Sequence, residues 1–457
     1  MKSRISFFDK ATFKKDITRF MPLWALYTVF LLLCMIPTAT GANSYFHPAR
    51  AVAGSLEPLT LANFLYGMLS AQLLFGELFS SRLCNALHAM PVTRQARFGS
   101  HILAGILFSW VPNLLTALLM LPSLGHLWYT ALLWLAAYSL QYLFFFGAAV
   151  FSAMCAGSRF AMVLVYGIIN FLAIVIYWFI NTVYIPLMPG VELSEGFLEL
   201  FFPLGQMLNV CNYWEISYLP AYKFDIYDHA NATFEGLGDS WTYLFIVSAV
   251  GVGAMVAALF LYRKRKLESA GDFIAVKWVE PIFLVLYTLC AAAFLAIFGE
   301  LFGDVGYSFS LILGLFLGFF TGKMLLERTV RVFRKKNFLM AVILVAVLIV
   351  SSIPIQGDWF GIVSYVPEAE DVEYVNVYGY QVSRHDISDP EEIALVCQIH
   401  ENAIATLEHE NENFCSGAHY YAHLEYHLKD GRTVSRRYHI CIYSAAWQLW
   451  EQLVDTK

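Results

Sequence analysis

Residues 81–100, SRLCNALHAMPVTRQARFGS, decide how this chain is read. The stretch lies between two long apolar runs, carries Arg82, Arg94 and Arg97, and has Pro91 near its middle. A short polar loop between two membrane-spanning helices is a place where a soluble partner can push on the membrane part. The chain on either side can then be read as alternating spans and connections.

Composition fits that frame. Of 457 residues 59% are hydrophobic and only 14% charged, with a mean hydropathy of +0.59. Soluble domains are about half apolar and a quarter charged, so this chain is expected to be a membrane protein. The net charge of -6 hides an asymmetry: residues 355–457 hold 17 acidic and 6 basic side chains, leaving 18 acidic and 23 basic in the remainder. A basic membrane part is joined to an acidic tail. The basic residues fall in short groups beside apolar runs rather than along one soluble face, which argues against nucleic-acid binding. Cys34, Cys84, Cys155, Cys211, Cys290, Cys397, Cys415 and Cys441 show no CxxC spacing, so no zinc ribbon or thioredoxin-type site is expected. Three of them lie in the tail, enough for one disulfide and one thiol left over.

Residues 1–20 place Phe7, Phe8, Phe13, Ile17 and Phe20 near helical spacing among Lys10, Lys14, Lys15 and Arg19. They read as an amphipathic helix lying on an anionic inner leaflet, the alternative being a disordered basic leader. A bilayer core of about 30 Å needs roughly 20 apolar residues per helix. Nine stretches qualify: 21–37, 59–79, 101–121, 127–153, 160–180, 241–262, 281–298, 307–325 and 338–353. With nine spans one set of connections collects the N-terminus, Arg82, Arg94, Arg97, Arg159, the RKRK of 263–266, Lys277, Lys323, Arg328, Arg331, Arg334, Lys335 and Lys336. The other set holds only Arg50 and Lys223 before the tail. The basic side is expected to be cytoplasmic and the tail extracytoplasmic.

Segment 183–240 is a long outer connection whose apolar piece, GFLELFFPLGQMLNVCNYW, is too short to span; it lies at the interface or dips in and returns. Segment 263–280 links six spans, within 21–262, to three more within 281–354. Gly314, Gly318 and Gly322 recur every four residues, a spacing that lets helix backbones approach closely in lipid. Polar residues at membrane depth are Glu77, Asn113, Gln141 and Asn170. Each is a functional candidate, read against an interhelical hydrogen bond for the amides and a reach to the headgroups for Glu77. Pro112 is expected to kink its span and free carbonyls that a neighbour satisfies.

After Ile353 the composition changes. Residues 372–380 read as a strand, and Ser388 or Asp389 is placed to cap a helix with Pro390 at its first position, running to about Glu408. Strands 419–428 and 432–443 follow, then a short helix with Trp447, Leu449, Trp450 and Leu453. This predicts a small α+β domain over 355–457. A three-residue loop with Gly431 in the left-handed region pairs Leu428 with Arg432 and gathers Tyr420, Ala422, Leu424, Tyr426, Val434, Tyr438 and Ile440 on one face. The other face collects His419, His423, His427, His439 and Cys441. Residues four apart on a strand are separated by about 13 Å, so only His419, His439 and Cys441 come close enough for a metal, against the alternative of a solvated polar face. No HExxH, nucleophile elbow or P-loop appears, and no enzyme activity or cofactor is expected on this chain.

The order of parts resembles ABC-2-type transporter permeases. LHAMPVTR, ending at Arg94, is similar to the "L..LP.tR" signature of their cytoplasmic loop; Ser80-Ser81-Arg82 stands where that family carries an acid-arginine pair. RKRKLESAGDFIAVKWVEPIF, residues 263–283, looks like a segment of a Gram-positive bacterial subgroup in which extra spans and an extracytoplasmic domain follow the six-span core. The resemblance implies a polytopic α-helical fold, a six-helix core plus three, and a dimer, homo- or heteromeric, in the cell membrane. It also implies a partner ABC ATPase carrying the ATP and Mg²⁺. In that family the loop forms the coupling helix, which here maps onto Arg82, Leu87, Pro91, Thr93, Arg94 and Arg97. The apolar, aromatic character leans towards a lipid-like, amphipathic or antimicrobial-peptide cargo. The competing class is a multi-pass sensor or assembly protein that presents its outer domain without transport.

Overall fold

A computed structural model describes residues 7–40, 52, 55–125, 128–193, 202–212, 237–301, 303–409 and 418–455. The chain is mostly helical and divides into two compact units. Unit one comprises Met1–Ala173, Glu199–Ala291 and Leu317–Val332; unit two comprises Ile174–Leu198, Ala292–Phe316 and Phe333–Lys457.

The helices in chain order are α1 (Lys10–Arg19), α2 (Met21–Thr40), α3 (Leu56–Leu74), α4 (Ser81–His88), α5 (Arg94–Leu124), α6 (Tyr129–Cys155) and α7 (Arg159–Val183). They continue with α8 (Pro203–Asn212), α9 (Leu237–Lys264), α10 (Val279–Glu300), α11 (Gly303–Glu327) and α12 (Lys335–Gln356). Among the described residues eight helices are long and apolar enough to cross a membrane, as expected of a multi-pass membrane protein. The expected span 59–79 is the exception. It becomes α3, 19 residues long, followed by a 3-10 turn at Gly76–Phe79, and α3 is too polar to count among the eight.

Those polar groups are spent inside unit one. Tyr27 donates to Asn63 Oδ1 at 3.0 Å, and Asn63 Nδ2 donates to the Tyr138 carbonyl at 2.9 Å. Thr60 Oγ1 reaches Gln141 Oε1 at 3.3 Å, and the rings of Tyr27 and Tyr66 stack with centroids 3.6 Å apart. A polar atom left unpaired in an apolar interior costs several kcal/mol on the least forgiving scale, so these pairs decide which face of α3 meets α6. Pro112 shows the same logic. It cannot donate to the Phe108 carbonyl one turn back, and the Tyr66 hydroxyl donates there instead at 2.9 Å.

At the centre, α6 packs against α9 through a pair of glycines. A Cβ on Gly147 would collide with the Gly251 carbonyl, and one on Gly251 would collide with the backbone of Phe144. Gly147→Ala is therefore expected to destabilise the protein by about 1–3 kcal/mol, the usual range for overpacking. Gly253→Ala, where nothing lies within 4 Å, should be neutral. Heat-aggregation midpoints in detergent compare the two. Of the expected glycine stripe, Gly314 is buried, while Gly318 and Gly322 bring α11 onto Thr288 and Leu284 of α10, where a Cβ would lie 3.0 Å from the Thr288 carbonyl and 2.8 Å from Leu284 Cδ1.

In unit two, β1 (Val191–Glu192), β2 (Val372–Gly379), β3 (Val382–Ile387), β4 (His419–Leu428) and β5 (Thr433–Cys441) form one antiparallel sheet in the order β1-β5-β4-β2-β3. Helices α13 (Pro390–His409) and α14 (Ala445–Asp455) share its core with Val375, Val377, Leu424, Tyr426, Ile440, Val396, Ile399 and Trp450. The hairpin has the expected register. Leu428 N donates to the Arg432 carbonyl at 2.9 Å, Gly431 has φ +84°, and His427 lies opposite Thr433. Two strands were not expected. β3 follows a tight turn with Gln381 at φ +59°, and β1 comes from the 183–240 connection to pair Val191 with Arg436 and Glu192 with Ser435. Glu192 there ion-pairs with Arg437 and meets His423 Nε2 at 3.2 Å.

The metal candidates need correcting. His419 does lie opposite Cys441, but Cys441 is disulfide-bonded, so its sulfur has no thiolate to offer. Cys415 lies outside the described residues, and Cys397 is a buried free thiol that burial pushes up to about 11. Among the described residues no three His, Cys, Asp or Glu side chains gather as a metal site.

Candidate functional site at the base of the short helix

The sequence around Pro91 builds a short helix and a restart. Thr93 is extended, and its Oγ1 accepts from the Ala96 N–H at 3.2 Å, an N-cap that starts α5. Before it, α4 buries Cys84 and exposes Arg82 and Leu83, and the exposed Met90 and Pro91 follow. The Leu87 side chain lies outside the described residues.

Beneath α4 the structure gathers three distant segments. Arg265, just past the end of α9 and buried, donates to the carbonyls of Ala153 and Met154 at 2.8 and 3.1 Å and to that of Leu78 at 3.0 Å. The first two belong to the last turn of α6, whose carbonyls have no intrahelical partner and attract a cation. Burial lowers the Arg265 pKa to about 10, which still leaves it charged at neutral pH. Ser81 Oγ donates to the Ala270 carbonyl at 2.6 Å. Segment 269–275 then lies along the α6–α7 turn: Gly271 N to Gly157 O at 2.8 Å, Gly157 N to Phe273 O at 3.0 Å, and Ala275 N to Cys155 O at 2.8 Å. A Cβ on Gly157 would strike the Asp272 and Ser269 carbonyls, so the approach needs glycine. The RKRKLESAGD stretch is thus a keystone wedged between α4 and the ends of α6 and α9.

Of the arginines in 81–100, only Arg82 is fully at the surface. Arg94 turns inward and donates to the carbonyls of Tyr262, Arg263 and Arg265 at 3.4, 3.3 and 3.0 Å, closing the end of α9. Arg97 is 3% exposed and lies 4.0 Å from Glu77. Glu77 turns inward and faces His101 Nε2 at 3.6 Å, while His101 Nδ1 meets Asp16 at 2.6 Å. Asp16, Glu77, Arg97 and His101 form one buried charge cluster joining α1, the 3-10 turn and α5. Pairing removes much of the cost of burying each charge.

Two of the three amides bond across helices, Asn113 to α6 and Gln141 to α3, while Asn170 bonds within its own helix. Asn113 Nδ2 donates to Ser109 Oγ at 3.0 Å and Ser139 Oγ at 3.3 Å, Gln141 accepts from Thr60, and Asn170 Nδ2 donates to the Tyr166 carbonyl at 2.9 Å. Asp16, His101 and Arg265 were missed in the sequence. Asp16 left a signal: on a helical wheel it falls among Phe13, Ile17 and Phe20, an acid inside an apolar stripe.

On another side of unit one, Trp110, Leu114, Leu135, Leu140, Trp241 and Phe245 line an apolar groove of about 530 Å³ between α5, α6 and α9. No protein family, curated protein or solved structure matches the chain.

Proposed function

We propose that this chain is the membrane-spanning permease subunit of a transporter powered by a separate ATPase, similar in layout to ABC-2-type permeases. The observation that carries it is α4, a short helix with Arg82 and Leu83 exposed, tied at its first residue by Ser81 to the Ala270 carbonyl and preceded by a turn whose Leu78 carbonyl is held by Arg265 against the end of α6. A push on α4 reaches α6 and α9 through charge-assisted hydrogen bonds rather than through a slack loop. In this reading the chain has nine spans including α3, and α4 faces the cytoplasm with the basic connections. The tail domain lies outside, two permease chains associate, and ATP and Mg²⁺ belong to the partner. The apolar groove suits an acyl chain or an apolar side chain of the cargo.

Co-purification tests this in mild detergent. The tagged chain is expected to bring down an ATPase, and Arg82→Glu with Leu83→Glu should lower that recovery at least about tenfold, as loss of central interface anchors does. The gel-filtration profile should be unchanged. A wild-type chain that recovers no ATPase overturns the reading in favour of a sensor or assembly protein.

A further inference from the structure

A basic amphipathic helix beside a span ordinarily buries its apolar face in lipid. In α1 that face is already occupied. Phe13 and Ile17 pack on the core of unit one, Phe20 meets Phe108 edge-on at 6.4 Å, and Asp16 is buried on His101. The start of the helix is held as well: Asp9 accepts from Thr12 N at 2.8 Å, and its own N–H donates to Ser100 Oγ at 2.8 Å. These contacts fix one rotational phase. In that phase Lys10, Lys14, Lys15 and Arg19 all face outward and are exposed. Both acids of the segment are used elsewhere, Asp9 at the cap and Asp16 inside. Among the described residues the three lysines have no carboxylate partner, and Arg19 rests over the Phe20 ring. A single residue, Phe20, separates α1 from the apolar α2, and Phe7 and Phe8 are exposed at the other end.

We propose that this outward arc is a binding surface for anionic phospholipid headgroups. Four cations on one side of a helix that runs directly into a membrane-crossing segment are complementary in charge and in place to a phosphate-bearing lipid surface. Recognition is by headgroup charge and not by insertion of the helix, because protein covers the apolar face. Lipid binding of this kind is independent of transport and would serve a sensor as well.

The test uses the full-length chain in detergent and native mass spectrometry, with phosphatidylglycerol or phosphatidylcholine added in equal amounts. The wild type is expected to retain phosphatidylglycerol preferentially. Lys10→Gln, Lys14→Gln, Lys15→Gln and Arg19→Gln together should lower that preference about tenfold or more, since each such cation contributes roughly a factor of five near an anionic surface. Arg328→Gln with Arg331→Gln should leave it largely intact. Should the fourfold variant fail to fold, Lys10→Arg, Lys14→Arg and Lys15→Arg keep the charge and must keep the preference. An unchanged preference in the folded fourfold variant overturns the proposal. So does inorganic pyrophosphate raising the melting temperature of the lipid-free wild type through the same four residues, which would mark a soluble anion as the ligand.

Discussion

Arg265→Gln is expected to cost unit one about 3–5 kcal/mol, because it strands three buried carbonyls that a charged donor had satisfied. A glutamine amide is shorter and uncharged, and cannot serve the last turn of α6 and Leu78 together. Arg265→Lys keeps the charge but loses the planar fork, so it should fall between the two. The midpoint of heat-induced aggregation in detergent ranks the three proteins. Limited proteolysis adds a local readout: with the keystone loosened, cleavage around α4 should precede global unfolding. If Arg265→Gln costs less than about 0.5 kcal/mol, the value of an ordinary surface change, the bracket is not what holds this end of the bundle.

The second large effect lies in the tail domain. His400 of α13 is 0% exposed, lies between the rings of Tyr426 and Tyr438 at 5.6 and 5.5 Å, and neither ring nitrogen has a hydrogen-bond partner among the described residues. Burial, reinforced by the Arg436 charge, lowers its pKa to about 3. The unfolded chain takes up this proton near pH 6.5, while the folded chain refuses it until about pH 3. Stability is therefore complete above pH 6.5 and is lost as the pH falls towards 3, by on the order of 4 kcal/mol for this one group. His400→Leu should abolish that part of the acid sensitivity. At pH 7 it should also stabilise the domain by about 1–3 kcal/mol, since two orphaned polar atoms leave the core. Labelling of the buried Cys397 by a disulfide reagent that reacts in acid, read by peptide mass spectrometry, reports opening of this domain. Equal acid dependence in wild type and variant would sink the assignment.

Local chemistry made much of the fold legible. The Pro390 helix start, the strand at β2 and the three-residue hairpin turn follow from residues a few positions apart, and the structure places them as read. Eight long apolar helices were readable in the same way; α3 is the exception. Asn63, Ser70 and Gln72 lower the hydropathy of that helix, and its place depends on α6 and α2 supplying partners to the buried Asn63. β3 was lost because SRHD, from Ser383 to Asp386, looks like a polar loop. It holds together by pairing with β2, with Arg384 turned in to Glu392 at 2.6 Å.

By itself the sequence determined that long apolar helices dominate, that an acidic tail follows them, and where the hairpin turns. Those properties are sums and periods over neighbouring residues. Only the tertiary structure decided that Arg94 and Arg97 turn inward, that Asp16 meets His101, that Gly147 faces Gly251, and that Glu192 closes the edge of the tail sheet. The physical reason is that a buried charge or a missing Cβ has meaning only through its partner. Here the partner stands 20 residues away for Arg97 and Glu77 and far more for the others, at distances no local pattern measures.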